Sequence, residues 1–302
     1  MRTHRLLLPL ALAFSFGACS AQRLTPDEAS AATLDDHAGH EMAATAVSVL
    51  RDTGIAPGAN EAAARLQASP RHAEWAMIPM APGSGDSIAA FVVYPERRQN
   101  APVVVVIHEI FGLSTWVRGV ADQLAADGFI AIAPDLLSIE RGGATTDSLP
   151  YDQARAMISR VSPDKMNAMV AAVAKYGMAL PAAMKKYGVV GYCWGGAASF
   201  NHAVFNAPGM SAAVVYYGTA PEAAEIAKVK VPVLGLYGEI DQRVNATIAR
   251  ADSTMEANGG TFEHHIYTGA RHGFLRAQDD SANAAASREA WPATVAWFRK
   301  YL

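Results

Sequence analysis

The run Pro102-Val103-Val104-Val105-Val106-Ile107 carries no polar side chain and is β-branched after its first residue. A strand with one wet face alternates polar with apolar residues; a strand without that alternation is buried on both faces of its sheet. Burial on both faces requires helices above and below, and the downstream pattern supplies them. A helix is predicted over 116–126, stopped by Gly128, then a strand over 129–133 and helices over 150–160 and 164–179. A strand over 187–192 leads into a helix over 195–205. The alternation continues with strand 212–217, helix 221–227, strand 232–237, helix 244–258, strand 261–267 and helix 282–301. Upstream, a short helix is predicted over 60–67 and strands over 74–80 and 88–94. Strands alternating with helices define the α/β class, a mostly parallel sheet covered on both faces. In such sheets ligands bind beyond the carboxyl ends of the strands. Residues just after strands therefore carry the functional information.

The most specific of these positions is Gly191-Tyr192-Cys193-Trp194-Gly195-Gly196, which follows an apolar strand and opens a helix. That context defines a nucleophile elbow. The bend forces strained backbone on the central residue, and its neighbours must lack bulk for the turn to close. Cys193 then sits at a helix N-terminus, where the dipole and free N–H groups favour a thiolate. The N–H of Trp194 is placed where an oxyanion would form. A thiol nucleophile needs a base. Among nine histidines, His272, in Gly269-Ala270-Arg271-His272-Gly273-Phe274, lies just past the last strand; His108 follows another strand, and His264 and His265 lie within one. The order demanded by this kind of site is nucleophile, acid, histidine. Asp241, in Tyr237-Gly238-Glu239-Ile240-Asp241, falls between the other two. Glu239 is the rival acid, with Asp241 favoured as the later residue; it would orient the imidazole and stabilise its charged form.

The beginning of the chain has a different character. Arg2, His4 and Arg5 precede an apolar run over residues 6–16 and small residues over 17–21, the layout of a secretory signal peptide too short to serve as a permanent span. The chain has two cysteines. Cys19, in Phe16-Gly17-Ala18-Cys19, resembles the lipidated cysteine of a bacterial lipobox, with Phe16 where Leu is usual. The two readings are a lipoprotein signal over 1–18 with Cys19 as the lipid attachment site, or cleavage after residue 20 or 21. Either one predicts an exported protein, periplasmic, anchored at the outer membrane or secreted, whose membrane association is through an N-terminal lipid only. Cys193 is then left without a disulfide partner, and a lone thiol in an oxidising compartment is a liability unless it performs chemistry. Residues 22–60, rich in Ala, Asp, Gly and Thr and punctuated by Pro57-Gly58, read as a flexible extension. Its tract Asp35-Asp36-His37-Ala38-Gly39-His40-Glu41-Met42 holds metal-ligand residue types but little preorganisation, so no metal site is assigned. The globular domain is predicted over 61–302. A net charge of −3 without basic clusters argues against nucleic acid as a partner.

Taken together, these motifs resemble the dienelactone hydrolase family of α/β-hydrolases with a cysteine nucleophile, over roughly residues 70–302. The resemblance is carried by the Gly-Tyr-Cys-x-Gly-Gly turn, the Gly-x-x-Asp stretch ending at Asp241, His272-Gly273-Phe274, and His108-Glu109-Ile110-Phe111-Gly112 directly after the Val-rich strand. It implies the α/β-hydrolase fold. It also implies that Glu109 contacts the resting cysteine and that the N–H of Ile110 completes the oxyanion hole with that of Trp194. Arg276, four residues after His272, matches an arginine that holds the substrate carboxylate. The family's other arginine has no counterpart in Leu136-Leu137-Ser138-Ile139-Glu140, leaving Arg141, Arg155 and Arg160 as unranked candidates. A carboxylate beside a thiol raises the thiol pKa, opposing the helix dipole; the alternative for Glu109 is an ion pair with a nearby arginine. The resulting expectation is hydrolysis of a small ester or lactone through a Cys193-His272-Asp241 triad and a thioester intermediate, without metal or organic cofactor. The rival expectations are a thiol-dependent acyltransferase or peptidase on the same fold, or an exported binding protein without catalysis.

Overall fold

Why the Val-rich run lacks a polar position is plain in the computed structural model, which describes residues 54–302 apart from 82, 98 and 146. The run forms β3 (Ala101–Ile107), and every one of its residues is buried. Val104 and Val106 enter one apolar layer, Val103, Val105 and Ile107 the other. The strands are β1 (Ala73–Pro79), β2 (Ser87–Val93), β3, β4 (Ile130–Pro134), β5 (Ala183–Tyr192), β6 (Met210–Tyr216), β7 (Val233–Ile240) and β8 (Phe262–Arg271). Among the described residues they make one eight-stranded sheet of order β1-β2-β4-β3-β5-β6-β7-β8. β1 and β2 pair antiparallel, as do β2 and β4; from β4 through β8 all neighbours are parallel.

The helices are α1 (Ala62–Gln67), α2 (Thr115–Ala126), α3 (Ser138–Arg141), α4 (Tyr151–Ile158), α5 (Pro163–Ala179), α6 (Trp194–Phe205), α7 (Ala223–Ile226), α8 (Gln242–Asn245), α9 (Ile248–Ala257) and α10 (Ser281–Tyr301). α2 and α10 cover one face, α5, α6 and α9 the other. This is the α/β-hydrolase architecture expected from the alternation of elements.

Three departures from the sequence expectation have physical causes. β7 and β8 run on to residues 240 and 271, because their pairing continues through a register shift between Gly238 and Ile240. The Glu239 carboxylate accepts the Gly269 N–H at 2.8 Å and ties the extended pair together. The helix expected over 244–258 is two helices. Thr247 breaks it, its hydroxyl donating to Val244 O at 2.8 Å and accepting from the Ala220 N–H at 3.0 Å. Residues 55–60, assigned to the extension, belong to the packed unit. Ile55 and Ala56 are buried, Pro57 O accepts from the Trp116 indole at 2.9 Å, and Ala59 N–H donates to Arg276 O at 2.8 Å. The leader, Cys19 and the 35–42 tract lie outside the described residues.

The α10 face is locked to the sheet by Phe298, fully buried and edge-on to Phe129 at 5.9 Å. Replacing a ring of this kind leaves a cavity that costs about 3–5 kcal/mol. Phe298→Ala is expected to lose that much in urea unfolding; a loss below about 1 kcal/mol would show that the contact does not anchor the helix.

Candidate active site

β5 ends at Tyr192 and α6 begins at Trp194, so Cys193 alone makes the turn between them. Its backbone lies at φ 57°, ψ −115°, a conformation that is costly for any residue with a Cβ. Two neighbours allow it. A Cβ on Gly191 would lie 1.8 Å from Gly195 O, and one on Gly195 would lie 2.4 Å from both Ile107 O and His108 O. The turn is held by Cys193 N–H donating to Tyr216 O at 3.1 Å and by Gly196 N–H donating to Cys193 O at 3.0 Å. The ends of β3, β5 and β6 thus press directly on the nucleophile turn.

Asp241 and His272 follow β7 and β8 immediately, and the extension of those strands carries the two residues to the same level. His272 Nδ1–H donates to Asp241 Oδ2 at 2.5 Å. Asp241 is buried, while His272 keeps a third of its side chain exposed. The bond fixes the imidazole tautomer and leaves Nε2 available for proton transfer. The rivals are placed elsewhere. Glu239 is committed to Gly269, His264 stands 3.9 Å from Asp252, and His265 stacks on Tyr267. His108 is fully buried with both ring nitrogens engaged. The Tyr217 ring lies 5.1 Å from the His272 imidazole and interacts electrostatically with the Cys193 thiol. No hydrogen bond joins the sulfur to the imidazole among the described residues. Tyr217, itself at φ 40°, is a site residue that sequence reasoning missed; only its position directly after β6 could have pointed to it.

Glu109 faces an arginine and acts electrostatically on the thiol. Its buried Oε2 stands 3.5 Å from Arg276 Nε. Burial pushes the Glu109 carboxyl up to about 7, against the opposing pull of Arg276. Burial, then the Glu109 charge, push the Cys193 thiol up to about 11; the Trp194 N–H and Arg243 act in the opposite direction. Near neutral pH the resting thiol is therefore protonated, and the helix N-terminus does not overcome desolvation. Arg276 lies over the Phe111 ring, 4.9 Å from its centre, with its guanidinium partly exposed. It borders a cleft of about 280 Å³ with Phe111, Ser114, Asp147 and Leu149. Of the other arginines considered, Arg160 is paired with Glu140 at 2.6 Å, and Arg141 and Arg155 are exposed. Arg243, which nothing in the motifs marks, is the arginine whose charge reaches the thiol. The Ile110 N–H donates no hydrogen bond among the described residues and is free for a ligand, while the Trp194 N–H acts on the Cys193 sulfur.

The family model of the dienelactone hydrolases matches residues 88–302. The chain belongs to this family. Similar proteins include one named "Putative carboxymethylenebutenolidase" from Escherichia coli O157:H7, 27% identical over 263 residues that cover 83% of this chain and 96% of the relative. Another of the same name, from Methylorubrum extorquens, is 32% identical over 237 residues, covering 74% and 79%. The crystal structure of a "Putative Dienelactone Hydrolase" from Klebsiella pneumoniae superposes with a TM-score of 0.67 at 26% identity, over 76% of this chain and 99% of that one.

The raised Glu109 pKa has a consequence for stability. An unfolded chain loses this proton near 4.5, the folded protein near 7, so folding is penalised progressively as pH rises between those values and stays penalised above them. Glu109→Gln is expected to raise the urea midpoint relative to wild type at pH 8 and not at pH 4. An equal gain at both pH values would show that the charge of Glu109 is not what burial opposes.

Proposed function

We propose that this family member hydrolyses small esters or lactones through Cys193, His272 and Asp241. The observation that carries the reading is the 2.5 Å His272–Asp241 bond, set on the same sheet edge as a cysteine held in a strained elbow. Strain of that kind persists where function requires it.

The charges suggest how the thiol is activated. Arg276 lowers the proton affinity of Glu109. A substrate carboxylate engaging Arg276, to which a guanidinium is well matched, neutralises that influence and makes Glu109 a stronger base. Glu109 then takes the Cys193 proton, and the thiolate attacks the ester or lactone carbonyl. The oxyanion is received by the N–H groups of Ile110 and Trp194. As the tetrahedral species collapses, the C–O bond breaks, the leaving oxygen takes the proton that Glu109 had accepted and the acyl group stays on sulfur. His272, oriented by Asp241, removes a proton from water, which attacks the thioester; the carboxylic acid leaves and the proton returns to the sulfur. No hydrogen bond joins the sulfur to the imidazole among the described residues. Hydrogen bonds between such partners commonly form only once substrate is bound.

A thiol protonated at rest is also poorly oxidised, since the thiolate is the reactive form. This suits export through the leader over residues 1–21 with lipidation of Cys19, which remains part of the proposal; mass spectrometry of the mature N-terminus distinguishes an acylated Cys19 from cleavage after residue 20 or 21.

Cys193→Ala is expected to abolish turnover of p-nitrophenyl acetate, and wild-type kcat/KM to rise with pH through about 7 as Glu109 ionises. Hydrolysis by Cys193→Ala at the wild-type rate would refute the nucleophile assignment.

A further inference from the structure

His108 is fully buried one residue beyond β3, and nothing in the reaction above uses it. Both of its ring nitrogens are committed to the main chain. The Leu136 N–H donates to Nε2 at 3.1 Å, so that nitrogen carries the lone pair and the ring proton sits on Nδ1. Nδ1 lies 2.6 Å from Glu109 O and donates to it. The same carbonyl accepts the Gly112 N–H at 3.4 Å. Burial lowers the proton affinity of the ring and keeps it neutral, so it offers one donor and one acceptor and both are used.

The carbonyl that His108 grips belongs to the peptide unit whose other end is the Ile110 N–H. No peptide bond among the described residues is cis. In a planar trans unit the C=O and N–H point in opposite directions. Holding the Glu109 oxygen toward His108 therefore fixes the Ile110 N–H pointing away from it, and that N–H has no acceptor within the described structure. A donor on the carbonyl also polarises the amide and strengthens its N–H as a donor. The other face of the grip is the nucleophile turn itself. The His108 ring stacks on the Trp194 indole at 5.8 Å and 24°, and His108 O lies where a Cβ on Gly195 would clash. One side chain thus contacts Trp194 directly and, through the Glu109 carbonyl, the peptide unit that carries the Ile110 N–H.

We propose that His108 is a positioning residue for the oxyanion site, setting the direction of the Ile110 N–H through the Glu109 carbonyl. The inference rests on the acyl-transfer reading above.

It is tested by steady-state kinetics of p-nitrophenyl acetate hydrolysis, with iodoacetamide alkylation of Cys193 measured alongside. His108→Phe fills the space but can neither donate nor accept. Loss of an oxyanion donor lowers kcat by about 10²–10³-fold, so His108→Phe should lower kcat by roughly 10²-fold with KM and the alkylation rate little changed. His108→Asn places an amide nitrogen where Nδ1 stands, keeps the donation to Glu109 O and should recover most of the lost kcat. His108→Leu likewise has no donor or acceptor and carries the same expectation as the Phe variant if that one does not fold. A folded His108→Phe or His108→Leu with near-wild-type kcat overturns the proposal. So does a His108→Asn variant as slow as the others, or a parallel fall in alkylation, which would mean general damage to the cysteine turn. Wild-type turnover by Cys193→Ala would instead bring down the underlying reading, which keeps the two failures distinct.

Discussion

Contact between the nucleophile turn and the ends of its neighbouring strands governs the rest of this site. The Gly191–Gly196 turn has no room for a side chain at Gly191 or Gly195, because the carbonyls of Gly195, Ile107 and His108 occupy that space. The contact fixes where Cys193 points, sets the floor on which Glu109 and Ile110 follow β3, and holds the N-terminus of α6 against β6. A buried, two-sided parallel sheet is what makes such an approach possible, since its strand ends are rigid and in register. The apolar run at β3 and the glycines of the elbow are therefore two parts of one constraint: the first makes a stiff platform, the second lets the helix start on it.

Much of this was legible in the sequence because it depends on local chemistry. The β3 run announces two-sided burial, and Gly-Tyr-Cys-Trp-Gly-Gly announces a turn that excludes side chains. An acid between the cysteine and His272 followed from chain order, and Asp241 was preferred over Glu239 as the later of the two. What was not legible depends on partners distant in sequence. The extension of β7 and β8 rests on Glu239 reaching Gly269, thirty residues away. Residues 55–60 looked like linker because the stretch lacks periodicity and carries the Pro57-Gly58 punctuation, yet their order comes from Trp116 and Arg276. Tyr217 and Arg243 approach the thiol through the fold alone, and His108 resembled a candidate base until both its nitrogens proved to be spoken for.

The electrostatics of the site form a balance rather than a simple activation. A cysteine at a helix N-terminus should be acidic, and the Trp194 N–H and Arg243 do act in that direction. Burial and the Glu109 charge outweigh them, since removing a thiolate from water costs more than a few oriented dipoles return. Arg276 occupies the pivotal position in this balance. It is near enough to Glu109 to stabilise that carboxylate and exposed enough to meet a ligand. Any anion that engages Arg276 changes the proton affinity of Glu109 without touching it, and through Glu109 the state of the sulfur.

That coupling distinguishes two roles a carboxylate could have at this position. If Glu109 were only the partner of Arg276, a structural ion pair, burial would favour a fully neutralised, hydrogen-bonded couple. The observed pair falls short of that. Its separation is 3.5 Å, its arginine is partly exposed, and Glu109 Oε2 has no hydrogen-bond partner among the described residues. A buried carboxylate left half-satisfied costs stability, and the protein accepts that cost at a carboxyl group whose charge also reaches the Cys193 thiol. The same reasoning applies to the elbow: strained backbone at Cys193 and an unsatisfied acid at Glu109 are both unfavourable for folding alone, and both occur around the thiol proposed as the nucleophile.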